Sequence, residues 1–212
     1  ALLGVGFLGF LVLEWGNPGT LGPLSLPGKI NAALFHSVSC RTAGFNTVDL
    51  AALTDQSKVL SVLLMFVGAG PAGTGGGVKI TTAAVVVMTI VSVMSGEEDA
   101  IIHRRRVEPQ TVCRALTLIT MGLLIVAVST VAIWFSLGGT FTLTDVLFEE
   151  TSAFATVGLS VGVSGAVGIV GKLVLIVNMF LGRVGLLSLA LAMAMKSGSS
   201  KEVLPSARII IG

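Results

Sequence analysis

Two short stretches, Thr42-Ala43-Gly44-Phe45 and Thr156-Val157-Gly158-Leu159, carry the chemistry this sequence can do. Each ends a short amphipathic run with a threonine, one further residue and a glycine, where a membrane protein would be expected to continue apolar. A cation leaving water needs oxygen ligands in place of its hydration shell. The carbonyls of an extended turn that glycine permits supply them without a fixed negative charge that would trap the ion. A single Thr-x-Gly is a weak signal. Here the two lie 114 positions apart, and the same offset sets Lys58 on Lys172, Met65 on Met179, Phe66 on Phe180 and Gly68 on Gly182 without a gap. The chain is two copies of one unit. Each copy reads as an apolar segment, an amphipathic segment ending in Thr-x-Gly, a polar link and a second apolar segment. The blander reading, turns that only pack between helices, uses the same residues. Against it stands the rule that irregular backbone at membrane depth is tolerated only where protein or a water-filled cavity surrounds it.

The elements that must position these turns belong to an integral membrane protein. The 212 residues are 53% hydrophobic and 11% charged, with mean hydropathy +0.97, far more apolar than a soluble domain. Long apolar runs without period-two alternation select helices over a barrel, so the expected class is an all-α membrane protein. A net charge of +2, with its cations in short connecting segments, offers no nucleic-acid partner. In the topology below Cys40 lies near a membrane-embedded turn and Cys113 on the cytoplasmic face, so no mutual disulfide is expected, and no metal-ligand pattern is present. No acid-base or nucleophilic set accompanies His36, which argues against an enzyme.

Taken in order, the first apolar run to Leu13 amounts to roughly 20 Å of helix against a core of about 30 Å. With no methionine and no basic start, it is expected to be a fragment cut within a membrane helix. It ends at Glu14-Trp15-Gly16-Asn17-Pro18, and a Gly/Pro-rich loop follows to Lys29. Residues 31–42 are too short and too polar to span and read as a re-entrant helix. Residues 58–94 would make one helix of roughly 55 Å, so they must break, and the tract at 68–77 is the place. The connection 97–114, with Arg104, Arg105 and Arg106, and a tail with Lys196, Lys201 and Arg208 face the cytoplasm by charge, putting the turns on the outer side. There Asp49, Asp55, Asp145, Glu149 and Glu150 would gather cations. Residues 116–137 make a complete span. Residues 145–156 form the second re-entrant helix, capped by Thr142 or Thr144. A polar link leads to a last helix over 172–195, in which Arg183 takes the register of Ala69 and hence a similar depth to the glycine tract. The expected organisation is a first unit over 1–96 with a truncated first helix, a cytoplasmic connection over 97–114, a second unit over 115–196, and a cytoplasmic tail over 197–212. No intramembrane carboxylate is expected between helix ends, which weighs against an ion-coupled carrier.

Ser39-Cys40-Arg41-Thr42-Ala43-Gly44-Phe45-Asn46-Thr47, the 68–77 tract ending at Val78-Lys79, Thr156-Val157-Gly158-Leu159 and Leu181-Gly182-Arg183 together resemble the Trk/Ktr/HKT family of potassium and sodium translocating subunits. The likeness covers essentially the whole chain, as the third and fourth helix-pore-helix units of a four-unit pore. It implies that the missing N-terminal half of the same subunit is needed to close the pore. It further implies a homodimer in the cell membrane, multi-pass, resting on a cytosolic ring of nucleotide-binding regulators. The glycine tract, with Gly68, Gly70, Gly73, Thr74, Gly75, Gly76 and Gly77, would be an intramembrane gate below the filter, and Arg183 a positive barrier in the pore. Potassium, or sodium, would be the transported ion and no cofactor is called for in this chain. The turns depart from the strict channel filter, reading Gly44-Phe45 and Gly158-Leu159 where Gly-Tyr-Gly would stand.

The expectation is a pore-forming subunit for monovalent cation uptake, with K+ at Thr42, Ala43, Gly44, Phe45, Thr156, Val157, Gly158 and Leu159. A weakly selective Na+/K+ channel or a Na+-coupled K+ transporter is the alternative. Three cations keep two readings each. Lys79 either holds the gate closed or snorkels to the interface. Arg41 either points inward, where it would repel cations, or braces its turn by pairing with an outer carboxylate or carbonyl oxygens. Arg183 is either the barrier or a structural partner of a carboxylate or carbonyls. The tract also fits G-x-G-x-x-G, but Pro71 and the glycines after it open no helix and no βαβ pattern surrounds them, so no nucleotide is expected there.

Overall fold

The computed structural model describes residues 2–68, 70, 75–96, 101–102 and 105–184. Its elements in order are α1 (Leu2–Glu14), α2 (Leu26–Ser39), α3 (Asp55–Phe66), α4 (Ile80–Met94), β1 (Ile101–Ile102), β2 (Arg105–Arg106), α5 (Pro109–Ser136), α6 (Leu143–Phe154), α7 (Val163–Ala166) and α8 (Ile169–Val184). The described residues are mainly helical, and β1 and β2 pair antiparallel in the charged connection. Arg104, the tail 197–212 with Lys201 and Arg208, Lys196, and the end of the last helix lie outside the described residues.

Local chemistry explains most boundaries. Pro27 sits in the first turn of α2, where its missing N–H costs nothing, so this helix starts before Lys29. Pro109 likewise opens α5 ahead of the expected start at 116. Thr54 caps α3 by accepting from the Ser57 backbone N–H. At α6, Thr142 and Asp145 form a reciprocal capping box, which selects Thr142 over Thr144 as the cap. The expected polar link after the second turn contains the one-turn helix α7. Among the described residues α5 alone is long and apolar enough to cross a membrane, while α1 and α4 are apolar but shorter.

The apolar run from 58 divides as expected, into α3 and α4. Its two feet are joined: Gly68 N–H donates to Val78 O at 2.8 Å and Val78 N–H to Phe66 O at 3.1 Å, forming a parallel bridge between Val67 and Val78. In the packing, α1 lies on α2 and α3, α4 on α5, and α6 is enclosed by α3, α5 and α8. Polarity is inverted relative to a soluble fold. Leu8, Val12, Leu124, Val128, Phe135 and Ile176 are exposed, whereas Ser37, Ser61, Ser129, Thr151, Glu150 and Asn178 are buried. An apolar exterior around a partly polar interior suits a hydrocarbon surround.

Candidate functional site

The two Thr-x-Gly turns have the same backbone. Thr42 (φ 67°) and Gly44 (φ 77°) in the first, and Thr156 (φ 52°) and Gly158 (φ 95°) in the second, take the left-handed region, while Ala43 and Val157 between them do not. Among the described residues Thr42 and Thr156 are the non-glycine positions with positive φ. Holding an L-residue there costs about 1–2 kcal/mol, and the copies hold it at equivalent positions. The turns also meet. A Cβ on Gly44 would lie 2.2 Å from the Val157 carbonyl oxygen and 3.3 Å from the Gly158 Cα. Backbone touches backbone here, and the absence of a side chain on Gly44 allows it. The fourth residues differ: Leu159 is buried, while Phe45 is exposed and its carbonyl accepts a hydrogen bond from the Ser39 hydroxyl.

The described ends of the glycine tract reach both turns, Gly76 and Gly77 at the second and Gly68, through Arg41, at the first. Gly76 N–H donates to Thr156 Oγ1 at 3.0 Å, and a Cβ on Gly76 would lie 3.0 Å from Ala155 O. Arg41, beside the first turn, donates to the carbonyls of Val67 and, at 3.2 Å, Gly68. Its partners are therefore carbonyls, and it braces the end of α3, whose last carbonyls lack helical partners. Lys79 reaches Gly75 O at 2.7 Å, holding the tract at its far foot. Arg41, Thr42, Ala43, Gly68 and Gly70 line a cavity of about 410 Å³ together with Leu3, Val38 and Ile80. Gly73 and Thr74 lie outside the described residues. Arg183 stands in the last turn of α8, next to Gly182, where a Cβ would fall 1.7 Å from Phe154 O. That contact presses α8 onto the end of α6.

Sequence reasoning missed the groups that support these turns. Glu149 and Glu150 do not face the outer solution; both are buried in the body of α6. Glu149 accepts from Ser160 Oγ (2.7 Å), Val161 N–H (3.0 Å) and Ser164 N–H (3.2 Å), fixing the strand of chain that leaves the second turn. Ser152, Thr156, Gly158 and Ser164 share with it a cavity of about 350 Å³. Glu150 is tied to Ser129 on α5 and Asn178 on α8. Glu14, at the end of α1, is fully buried and accepts from Asn17, Thr20 and Thr54. The expectation of no carboxylate between helix ends is thus overturned by Glu149 and Glu150. Their signal was present: Ser129 and Asn178 are polar residues amid apolar runs at a depth that a carboxyl on α6 could reach.

The seam between the units carries an ion pair that spacing could not reveal. Lys58 on α3 meets Asp145 on α6 at 2.6 Å, and Thr144 donates to Asp55 at 3.0 Å. Partial burial alone would raise the Asp145 carboxyl, but hydrogen bonds from Lys58 and Thr142 outweigh it and hold it below the ordinary carboxylate range. The first turn rests on less: His36 is buried, stacked on Phe10 with ring centroids 4.2 Å apart and hydrogen-bonded to Ser61 at 2.9 Å. Its role is packing behind the first turn. Cys40 (buried) and Cys113 (exposed) are both free thiols.

Comparison with known proteins gives the chain a family and a fold. Residues 2–203 match the TrkH family, described as cation transport protein. The chain is 35% identical over 208 residues to Ktr system potassium uptake protein B of Bacillus subtilis (strain 168), covering 98% of this chain and 46% of that protein. It is 38% identical over 193 residues to the protein of the same name from Vibrio alginolyticus, covering 91% and 42%. It is 31% identical over 198 residues to potassium/sodium uptake protein NtpJ of Enterococcus hirae, covering 92% and 44%. The crystal structure of the potassium transporter TrkH from Vibrio parahaemolyticus superposes with a TM-score of 0.71 at 22% identity, over 91% of this chain and 42% of that one. The chain spans less than half the length of each of these relatives.

Proposed function

Because the chain belongs to the TrkH family of cation transport proteins, we propose that it forms part of the pore of a monovalent cation uptake system, with potassium as the ion. Thr42, Ala43 and Gly44 with Thr156, Val157 and Gly158 supply carbonyl ligands to the passing ion, and Phe45 and Leu159 close the stretches. The observation that carries this reading is the contact of two turns with the same alternating backbone, Val157 O lying against Gly44. A φ that alternates in sign swings successive carbonyls toward one side, which is what a ring of oxygen ligands requires. The tract from Gly68 to Gly77 is the gate, held by Arg41 at Gly68, by Lys79 at Gly75 and by Thr156 at Gly76, with Arg183 as a positive barrier. No covalent chemistry is involved.

Two units give half a ring. The exposed Leu34, Phe35 and Val38 on α2 leave a face for the remainder of a longer subunit, in keeping with relatives more than twice this length. That subunit crosses the cell membrane several times, pairs as a homodimer and rests on a cytosolic nucleotide-binding ring. A weakly selective Na+/K+ passage or sodium-coupled potassium uptake is the second reading. It is favoured by Phe45 and Leu159 standing where a strict filter has tyrosine, and by the likeness to a protein named for both ions. The test is rubidium and sodium flux through the full-length subunit in liposomes, comparing the parent with Gly158→Ser. Altered preference supports the filter assignment. Unchanged preference removes Gly158 from it.

A further inference from the structure

Glu150 has an environment that the passage of ions does not explain. It is fully buried on α6, between α5 and α8. One oxygen, Oε2, lies 3.0 Å from Ser129 Oγ and within hydrogen-bond reach of Asn178 Nδ2; the other, Oε1, has no partner. The charged and titratable groups on the surrounding elements are occupied or distant. On α6 itself, Asp145 is paired with Lys58 and Glu149 holds the chain at 160–164. On α3, Lys58 is used in that pair and Asp55 accepts from Thr144. On α5, Cys113 and Arg114 lie about 22 Å or more along the helix from Ser129, and α7 has none. On α8, Lys172 and Arg183 sit about 9 Å and 8 Å along the axis from Asn178, one toward each end. Among the described residues no cation lies within ion-pair distance of Glu150.

An anionic carboxylate in this position would be buried against two neutral donors with one oxygen bare, an arrangement that costs several kcal/mol. A neutral acid fits the same atoms. Ser129 Oγ lies 2.8 Å from Ile125 O, an acceptor for its single hydrogen. With that hydrogen turned to Ile125 O, the serine oxygen is open to accept a proton from Glu150. The result is a chain in one direction: Asn178 Nδ2–H to Glu150 Oε2, Glu150 Oε2–H to Ser129 Oγ, Ser129 Oγ–H to Ile125 O.

We propose that Glu150 is a proton-binding site built into the wall behind the second turn, a neutral carboxylic acid that joins α5, α6 and α8 through Ser129 and Asn178. Its proton completes the polar chain. Losing it leaves a buried anion six residues before Thr156 and loosens the support of that turn, so ion passage falls as the pH rises. The effect on passage rests on the conducting role proposed above; the bound proton does not.

The test has two arms on the full-length protein. Infrared spectroscopy of the purified parent, Glu150→Gln and Glu149→Gln proteins should give a protonated-carboxyl stretch at neutral pH that is lost in Glu150→Gln and kept in Glu149→Gln. Rubidium flux should be equal in the parent and Glu150→Gln at neutral pH, because glutamine keeps the neutral hydrogen-bonded shape, and should fall at alkaline pH in the parent alone. No such stretch, or one that persists in Glu150→Gln, overturns the proposal, as does a parent that keeps its full flux at alkaline pH. A stretch that vanishes in Glu150→Gln with no flux in any protein upholds the proton site and removes the conducting reading.

Discussion

The two Thr-x-Gly turns share a backbone and differ in what holds it. The second follows α6, where every residue from Phe148 to Phe154 is buried and two carboxyls fasten the helix to α5, α8 and the chain beyond the turn. The first follows α2, which packs on α1, reaches α3 through the His36–Ser61 hydrogen bond, and leaves Leu34, Phe35 and Val38 uncovered. At the position equivalent to Glu150 it has His36, and at that of Glu149 it has Phe35. What the repeat keeps is therefore the backbone path and the glycines, while each copy supports that path by its own means. The ligands proposed for these turns are main-chain carbonyls, and such a role permits this, since it does not depend on which side chains stand behind the turn.

The sharpest way to break the comparison is to add a methyl to each glycine. Alanine at either position pays the left-handed penalty of about 1–2 kcal/mol, but at Gly44 it also meets Val157 O, whereas at Gly158 the nearest atom is a permissive 3.6 Å away. Gly44→Ala is expected to abolish rubidium flux in liposomes and Gly158→Ala to reduce it. Equal effects would mean that the turns do not touch.

A smaller difference is expected behind the turns. Glu149→Gln leaves one of its backbone donors facing an amide nitrogen, at a cost of about 1–3 kcal/mol, and should lower both melting temperature and rubidium-over-sodium preference. Ser61→Ala, which takes away the His36 hydrogen bond behind the first turn, should cost about 1 kcal/mol and leave ion preference unchanged. If Ser61→Ala has the larger effect, the second turn is not the more firmly supported one.

The smallest effect belongs to the seam. A double-mutant cycle of Lys58→Met and Asp145→Asn is expected to give a coupling of about 1 kcal/mol, given the small solvent exposure of both side chains. Because the Asp145 carboxyl is held below its ordinary range, its contribution is complete above that range and disappears as pH falls through the lowered value. Acid should therefore lower the melting temperature of the parent more than that of Asp145→Asn.

Much of this was legible in the sequence, for reasons the residues make plain. Hydrophobic length alone required the break between α3 and α4, and the glycines located it. The 114-residue offset matched Thr42 with Thr156 and Gly44 with Gly158 before any backbone angle was known. The start of α6 was legible only to within two candidate caps, Thr142 and Thr144, between which the reciprocal bond with Asp145 decides. What could not be read was pairing across the chain. Asp145 looks like an outer charge until α3 brings Lys58 to it, and Glu150 looks like a solvated acid until α5 and α8 close around it. The starts of α2 and α5 were placed late because Pro27 and Pro109 read as loop residues, although the first helical turn accepts proline. The paired arginines of β2 gave no strand signal, since a two-residue ribbon has no periodicity to detect.

The parallel bridge between Val67 and Val78 separates two questions that a broken helix normally ties together. With the feet clamped side by side, α3 and α4 keep their mutual register, and enlarging a closed loop costs little, each doubling adding only about 0.6 kcal/mol. The interval is thus open to variation in length, while Gly68, Gly76 and Gly77 are held to glycine by backbone contact or a positive φ.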